Sequence, residues 1–149
     1  MRADVDRSGA GTEMFERVMS GGKEIALILR AGFHSEGIRF FTPSDYSQQL
    51  AYMKRPKGYV ISPHVHNEVH RDVSLTLEVL VVRSGTAKLD LYDEHHLIGT
   101  RFLGTGDIVL LASGGHGIEM IEDTEIIEIK QGPYAGDQDK TRFTPLPDG

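Results

Sequence analysis

Short runs of branched aliphatic residues, each closed by a glycine, proline or acidic turn, recur along most of this chain. They leave little room for helix. Residues 86–92 carry the clearest pattern, with Ala87, Leu89 and Leu91 alternating with Lys88, Asp90 and Tyr92. A period of two is that of a strand with one buried face. Residues 23–30, KEIALILR, form a denser apolar run of strand type. Further strand-like runs fall at 38–42, 48–54, 75–83, 97–103, 108–112, 116–121 and 124–131. Residues 13–20 fit either one or two helical turns or an edge strand. Gly21-Gly22, Ser84-Gly85, Gly104-Thr105-Gly106-Asp107 and Ser113-Gly114-Gly115 supply the turns. Nine or ten short strands with turns between them argue an all-β sandwich or barrel.

The 149 residues predict one domain, long enough to fold around a single core. We expect an N-terminal arm over residues 1–22, a β-barrel over 23–131 and a tail over 132–149 that wraps it. The chain has no cysteine, which removes disulfides, thiolate metal sites and a cysteine nucleophile. A formal net charge of -6 speaks against a nucleic-acid surface. No apolar run approaches a membrane span, and the polar start is not that of a secretory signal. A cytoplasmic protein with no membrane partner is therefore expected.

The chemistry concentrates between Gly58 and Gly85. His64 and His66 are two residues apart, so on a strand their imidazoles share a face. Glu78 follows within the strand-like run 75–83, on the face of Leu80 and Val82. A carboxylate on a buried face is costly unless it is paired or holds a metal. With His116 as a fourth donor, this is a ligand set for a divalent transition metal: zinc, iron, nickel, manganese or copper.

Gly58, His64-Val65-His66, Glu78 and Gly85 resemble the first motif of the cupin superfamily. Gly106-Asp107, an apolar run, and Ala112-Ser113-Gly114-Gly115-His116 resemble its second motif. The resemblance spans residues 58–129 and implies a jelly-roll (double-stranded β-helix) barrel with metal ligands His64, His66, Glu78 and His116. Two features depart from the pattern. The gap between His66 and Glu78 is longer than usual, and Ala112 stands where a proline is common. Counting forward from His66 would put the carboxylate's position near His70 or Arg71, whereas counting back from Gly85 puts it on Glu78. Glu78 is preferred because the strand and turn around Gly85 are intact.

The segments FFTPSDYSQQLAYMKRPKGYVISPHVHN and EIKQGPYAGDQDKTRF are similar to small bacterial cupins, some of them loosely described as sugar epimerases. That similarity implies a metal-dependent isomerase or epimerase acting on a small polar, sugar-type substrate. His70 or Tyr52 would be its base. Related alternatives are an iron dioxygenase, a non-catalytic ligand-binding module, and an epimerase for nucleotide-linked deoxysugars that uses a histidine and an aspartate without metal. A homodimer is expected, because single-domain cupins commonly pair through edge strands. Gln48, Gln49, Tyr52 and Arg71 are candidate contacts for a hydroxylated ligand. Tyr134, Asp139, Lys140 and Arg142 are candidates for the mouth of a polar pocket. Glu128 and Lys130 share a strand face, and alternation alone does not say whether that face is inside. His34 and His95-His96 read as solvated turn residues.

Overall fold

The computed structural model describes residues 14–148. The described residues form ten strands: β1 (Phe15–Ser20), β2 (Lys23–Leu29), β3 (Gly37–Phe40), β4 (Ala51–Lys54), β5 (Glu78–Ser84), β6 (Thr86–Asp93), β7 (His96–Gly104), β8 (Ile108–Leu111), β9 (Gly115–Met120) and β10 (Glu125–Lys130). One 3₁₀ turn, Gly136–Gln138, lies in the tail. No described helix is long and apolar enough to cross a membrane.

All ladders are antiparallel. A five-stranded sheet has the order β1-β2-β8-β5-β10, a three-stranded sheet the order β7-β6-β9, and β3-β4 is a separate hairpin. Residues 13–20 thus resolve to an edge strand from Phe15 on. The sheet begins before the boundary expected at residue 23, so residues 15–20 of the expected arm belong to it, while residues 1–13 lie outside the described residues. The all-β expectation holds. The barrel does not close among the described residues: β9 and β10 each keep one unpaired edge.

The main core fills the gap between the two larger sheets. Leu89 and Leu91 of β6 meet Ile28 of β2, Leu80 and Val82 of β5, and Val109 and Leu111 of β8. Each large aliphatic buried there contributes about 1.5–3 kcal/mol relative to exposure. The dense apolar run of β2 is explained by burial on both faces. Leu27 and Leu29 point away from the gap into a second cluster with Phe33, Phe41 and Leu110. Arg39 of the β3-β4 hairpin lies over the rings of Phe15, Phe33 and Phe41, at 5.2 to 5.8 Å from their centroids.

One margin of the gap is closed by charge. Arg101 of β7 is 2% exposed and grips Glu16 of β1, with Nε 3.0 Å from Oε1 and Nη2 2.6 Å from it. Nη1 donates to the Thr100 carbonyl at 2.9 Å. Buried charge is tolerated only with such complete pairing.

The turns are fixed by close approach and side-chain caps. Gly85 has φ +87°, and a Cβ there would collide with the Asp123 carbonyl oxygen. Asp107 accepts hydrogen bonds from the Ala31 and Gly104 amides, each at 2.9 Å, and from Arg30 at 3.0 Å. The β6-β7 connection has Glu94 and His95 at φ 47° and 70° between the paired residues Asp93 and His96. Positive φ at both central residues is what a type I′ hairpin turn requires.

Replacing Arg101 with Met leaves the Glu16 carboxylate buried without its cation. Denaturant unfolding should then show a loss of about 3–5 kcal/mol. Tyr46 donates to Glu24 Oε1 at 2.7 Å. Burial, and then this bond, push its phenol up to about 12 from the ordinary 10.0. A raised folded value stabilises fully below the unfolded value, and that contribution is lost as pH rises through the folded one. Tyr46 therefore adds stability up to about pH 10 and loses it towards pH 12, a decline that Glu24→Gln should shrink.

Candidate functional site

Strand register decides which side chains face the gap. Glu78, Leu80 and Val82 share one face of β5, and Leu80 and Val82 belong to the inter-sheet core. Glu78 therefore faces the gap as well. On β9, His116 pairs with Leu91, Ile118 with Leu89 and Met120 with Ala87. Directly opposed residues lie on the same face of a sheet, so His116, Ile118 and Met120 turn inward too. Glu128 and Lys130 of β10 pair with Leu80 and Glu78. They occupy the inner face, which resolves the ambiguity left by alternation.

Glu78 and His116 meet across the sheets. His116 Nε2 lies 2.9 Å from Glu78 Oε1, with side chains 34% and 14% exposed. The His116 hydrogen bond is the main reason that the Glu78 carboxyl falls to about 2. Burial opposes it, while Glu128 and Lys130 assist. Glu128 is pushed up, first by its hydrogen bond to Glu78, then by burial and the neighbouring charge. The two carboxyl groups thus divide the roles of a shared-proton pair, Glu78 ionised and Glu128 the readier to hold a proton.

The pair opens into a cleft of roughly 1050 Å³ between the β8-β9 turn and the tail. The β8-β9 turn is held where Ser113 Oγ donates to the Glu24 carbonyl at 2.6 Å. Lys130, Asp139, Lys140 and Arg142 line the cleft, so the polar tail does border a pocket. Tyr134 does not line it. Asp139 accepts from Thr76 Oγ1 at 2.9 Å and pairs with Lys130 Nζ at 3.3 Å. These two contacts, Thr76 first, lower its carboxyl below the ordinary 3.8. The Gln131 Oε1 atom is buried with no hydrogen-bond partner among the described residues. It is a free acceptor beside the cleft.

The structure does not bring His64 and His66 to Glu78 and His116. They lie in a strandless run from β4 to β5, in which every residue from 53 to 75 is exposed. The expected strand carrying this pair is absent, because the run has nothing to pair with. From Val60 to Thr76 no backbone hydrogen bond to another backbone group forms among the described residues. Extended geometry still sets the two imidazoles side by side, with centroids 5.3 Å apart. Among the described residues, no three histidine or acidic side chains form a group able to hold a metal.

The other candidates also lie elsewhere. His70 sits on the exposed run and contacts Asp72 at 3.0 Å, and Arg71 is exposed beside it. Tyr52 packs edge-on against Phe33, and Gln49 bonds to Thr42 and to the Pro43 and Tyr46 carbonyls. Gln48 Oε1 is buried without a partner among the described residues. His95, read from sequence as a solvated turn residue, lines the cleft and stacks on Phe143 at 4.3 Å. No sequence signal marked it, since its position depends on a turn conformation that glycine or asparagine more often adopts.

Comparison with protein-family models, with curated proteins and with solved structures finds no match.

Asp139→Asn should weaken the tie between tail and β10, seen as faster amide hydrogen exchange across residues 132–143. Protection of those amides, measured relative to the intrinsic exchange rate at each pH, should likewise fall as pH drops below the ordinary 3.8, because a depressed carboxyl contributes only while it is ionised.

Proposed function

We propose that this chain is a metal-binding cupin whose Glu78–His116 cleft acts on a small polar, sugar-type substrate as an isomerase or epimerase. The observation that carries this reading is the ionised carboxylate and the imidazole meeting at the head of a polar cleft. Two face-to-face antiparallel sheets are compatible with a jelly roll.

Oxygen and imidazole nitrogen donors suit zinc, iron, nickel, manganese or copper. Among the described residues only Glu78 and His116 of this ligand set converge, which fits two positions of such an ion and not four. A bound ion would supply Lewis-acid polarisation of a carbonyl or hydroxyl. The chain's own groups supply the rest. Lys130 and Arg142 attract and orient substrate oxygens. Glu128, with its raised carboxyl, is placed to give or take a proton.

The direct Glu78–His116 bond favours a second reading, in which imidazole and carboxylate work as an acid–base pair without metal. A carboxylate on one ring nitrogen fixes the tautomer and raises the basicity of the imidazole.

Purified protein should carry a divalent metal, measured by elemental analysis. Glu78→Gln should lower its affinity by more than about tenfold. In D₂O, the native chain should exchange a carbon-bound proton of its sugar substrate, followed by NMR over a panel of aldoses and ketoses. Exchange that survives exhaustive chelation would replace the metal reading with the acid–base one. No exchange with any sugar would overturn the isomerase assignment.

A further inference from the structure

The tail lines the cleft between two fixed points. Asp139 is held by Thr76 Oγ1 at 2.9 Å and by Lys130 Nζ at 3.3 Å. Further on, Phe143 is seated against the rings of Tyr92 and His95, with centroids 5.2 and 4.3 Å away. Gly115 makes that seat possible, because a Cβ there would stand 2.8 Å from the Phe143 ring. Lys140 and Arg142 lie on the short span between these pins, and both line the cleft. The charge of Lys140 is felt at Asp139 and at Glu128.

The ionic groups of the cleft leave a surplus on that span. Of the carboxylates that line it, Glu78 meets His116 and Asp139 meets Lys130. The third, Glu94, adds to the field that, after the bond from Asp93, raises Lys23. Each acid therefore faces a cation of this chain. Lys140 and Arg142, by contrast, enter no ion pair among the described residues. Two like charges held on one short span repel each other, and an anion set between them relieves that cost. A guanidinium offers a planar fork that fits carboxylate or phosphate oxygens, and an ammonium adds a point charge beside it.

We infer that Lys140 and Arg142 hold an anionic group of the substrate, so that the cleft takes an acidic sugar, bearing a carboxylate or a phosphate, in preference to a neutral one. This rests on the isomerase reading above and narrows its substrate class. Orientation follows from charge. The ionised Glu78 repels an anion from the head of the cleft, while the span between the two pins attracts it. The uncharged carbons of the sugar then lie towards His116 and Glu128, the groups placed to move a proton. A cleft of roughly 1050 Å³ admits a monosaccharide together with its charged group. Lys140 and Arg142 set specificity and binding, and they take no part in the proton transfer.

Matched sugars test this, by titration calorimetry and by exchange of a carbon-bound proton in D₂O. The panel sets glucose, galactose and mannose against their uronates and their 6-phosphates. One acidic series should bind at least about tenfold more tightly than the neutral sugars, and whether it is the uronates or the phosphates names the anion. Added salt should shrink the advantage. Lys140→Ala/Arg142→Ala should abolish it, raising KM for the acidic sugar with little change in kcat. Arg142→Lys should cost less than Arg142→Ala. Arg55→Ala/Lys57→Ala, which deletes the same charge from the exposed run, should leave the advantage in place. Neutral sugars bound as tightly as the acids, or an advantage that survives Lys140→Ala/Arg142→Ala, would overturn the anion site. Neutral sugars exchanged as readily as the acids would overturn the substrate class and keep the isomerase. Acids held through Lys140 and Arg142, with no exchange of any sugar, would keep the anion site and overturn the isomerase.

Discussion

The cost of burying a carboxylate shapes both margins of the gap between the two sheets. At the β1/β7 margin, Glu16 is met by a guanidinium through two of its nitrogens, while the third donates to a backbone carbonyl. Both carboxylate oxygens are engaged, and the pair serves as a fastening. At the other margin, Glu78 is met by one imidazole nitrogen, with a second carboxyl close by. That arrangement keeps bonding capacity in reserve. The same penalty is settled once by a bidentate guanidinium and once by a partly open group that borders a cleft.

Geometry between these margins follows from β6 and its neighbours. The alternation of Ala87, Leu89 and Leu91 sets which face of β6 is inward. Pairing then transmits that choice to β9, and with it the direction of His116. On the facing sheet, Leu80 and Val82 do the same for Glu78 and, through β10, for Glu128 and Lys130. The polar site is thus aimed by apolar residues that never touch a ligand.

These relations also explain what could be read from the chain alone. Elements with a strict period of two or a doubly buried apolar run, such as β6 and β2, were readable because burial dictates their residues. Glu78 was readable for the same reason, as a carboxylate on the face of Leu80 and Val82, whereas His116 was marked only by its place after the Gly114-Gly115 turn in the motif resemblance. His64 and His66 were correctly set side by side by the spacing of an extended chain. Their distance from Glu78 was not readable, because a strand needs a partner and sequence does not say whether one is at hand. His95 escaped notice because a hairpin turn with positive φ, not a pattern of hydrophobicity, carries it to the cleft.

That turn has a further implication. Glu94 and His95 occupy backbone conformations that disfavour side chains by about 1–2 kcal/mol each, where asparagine and glycine would rest at ease. The strained turn is what lays the His95 ring flat against Phe143, so backbone strain and an aromatic stack together set one wall of the cleft.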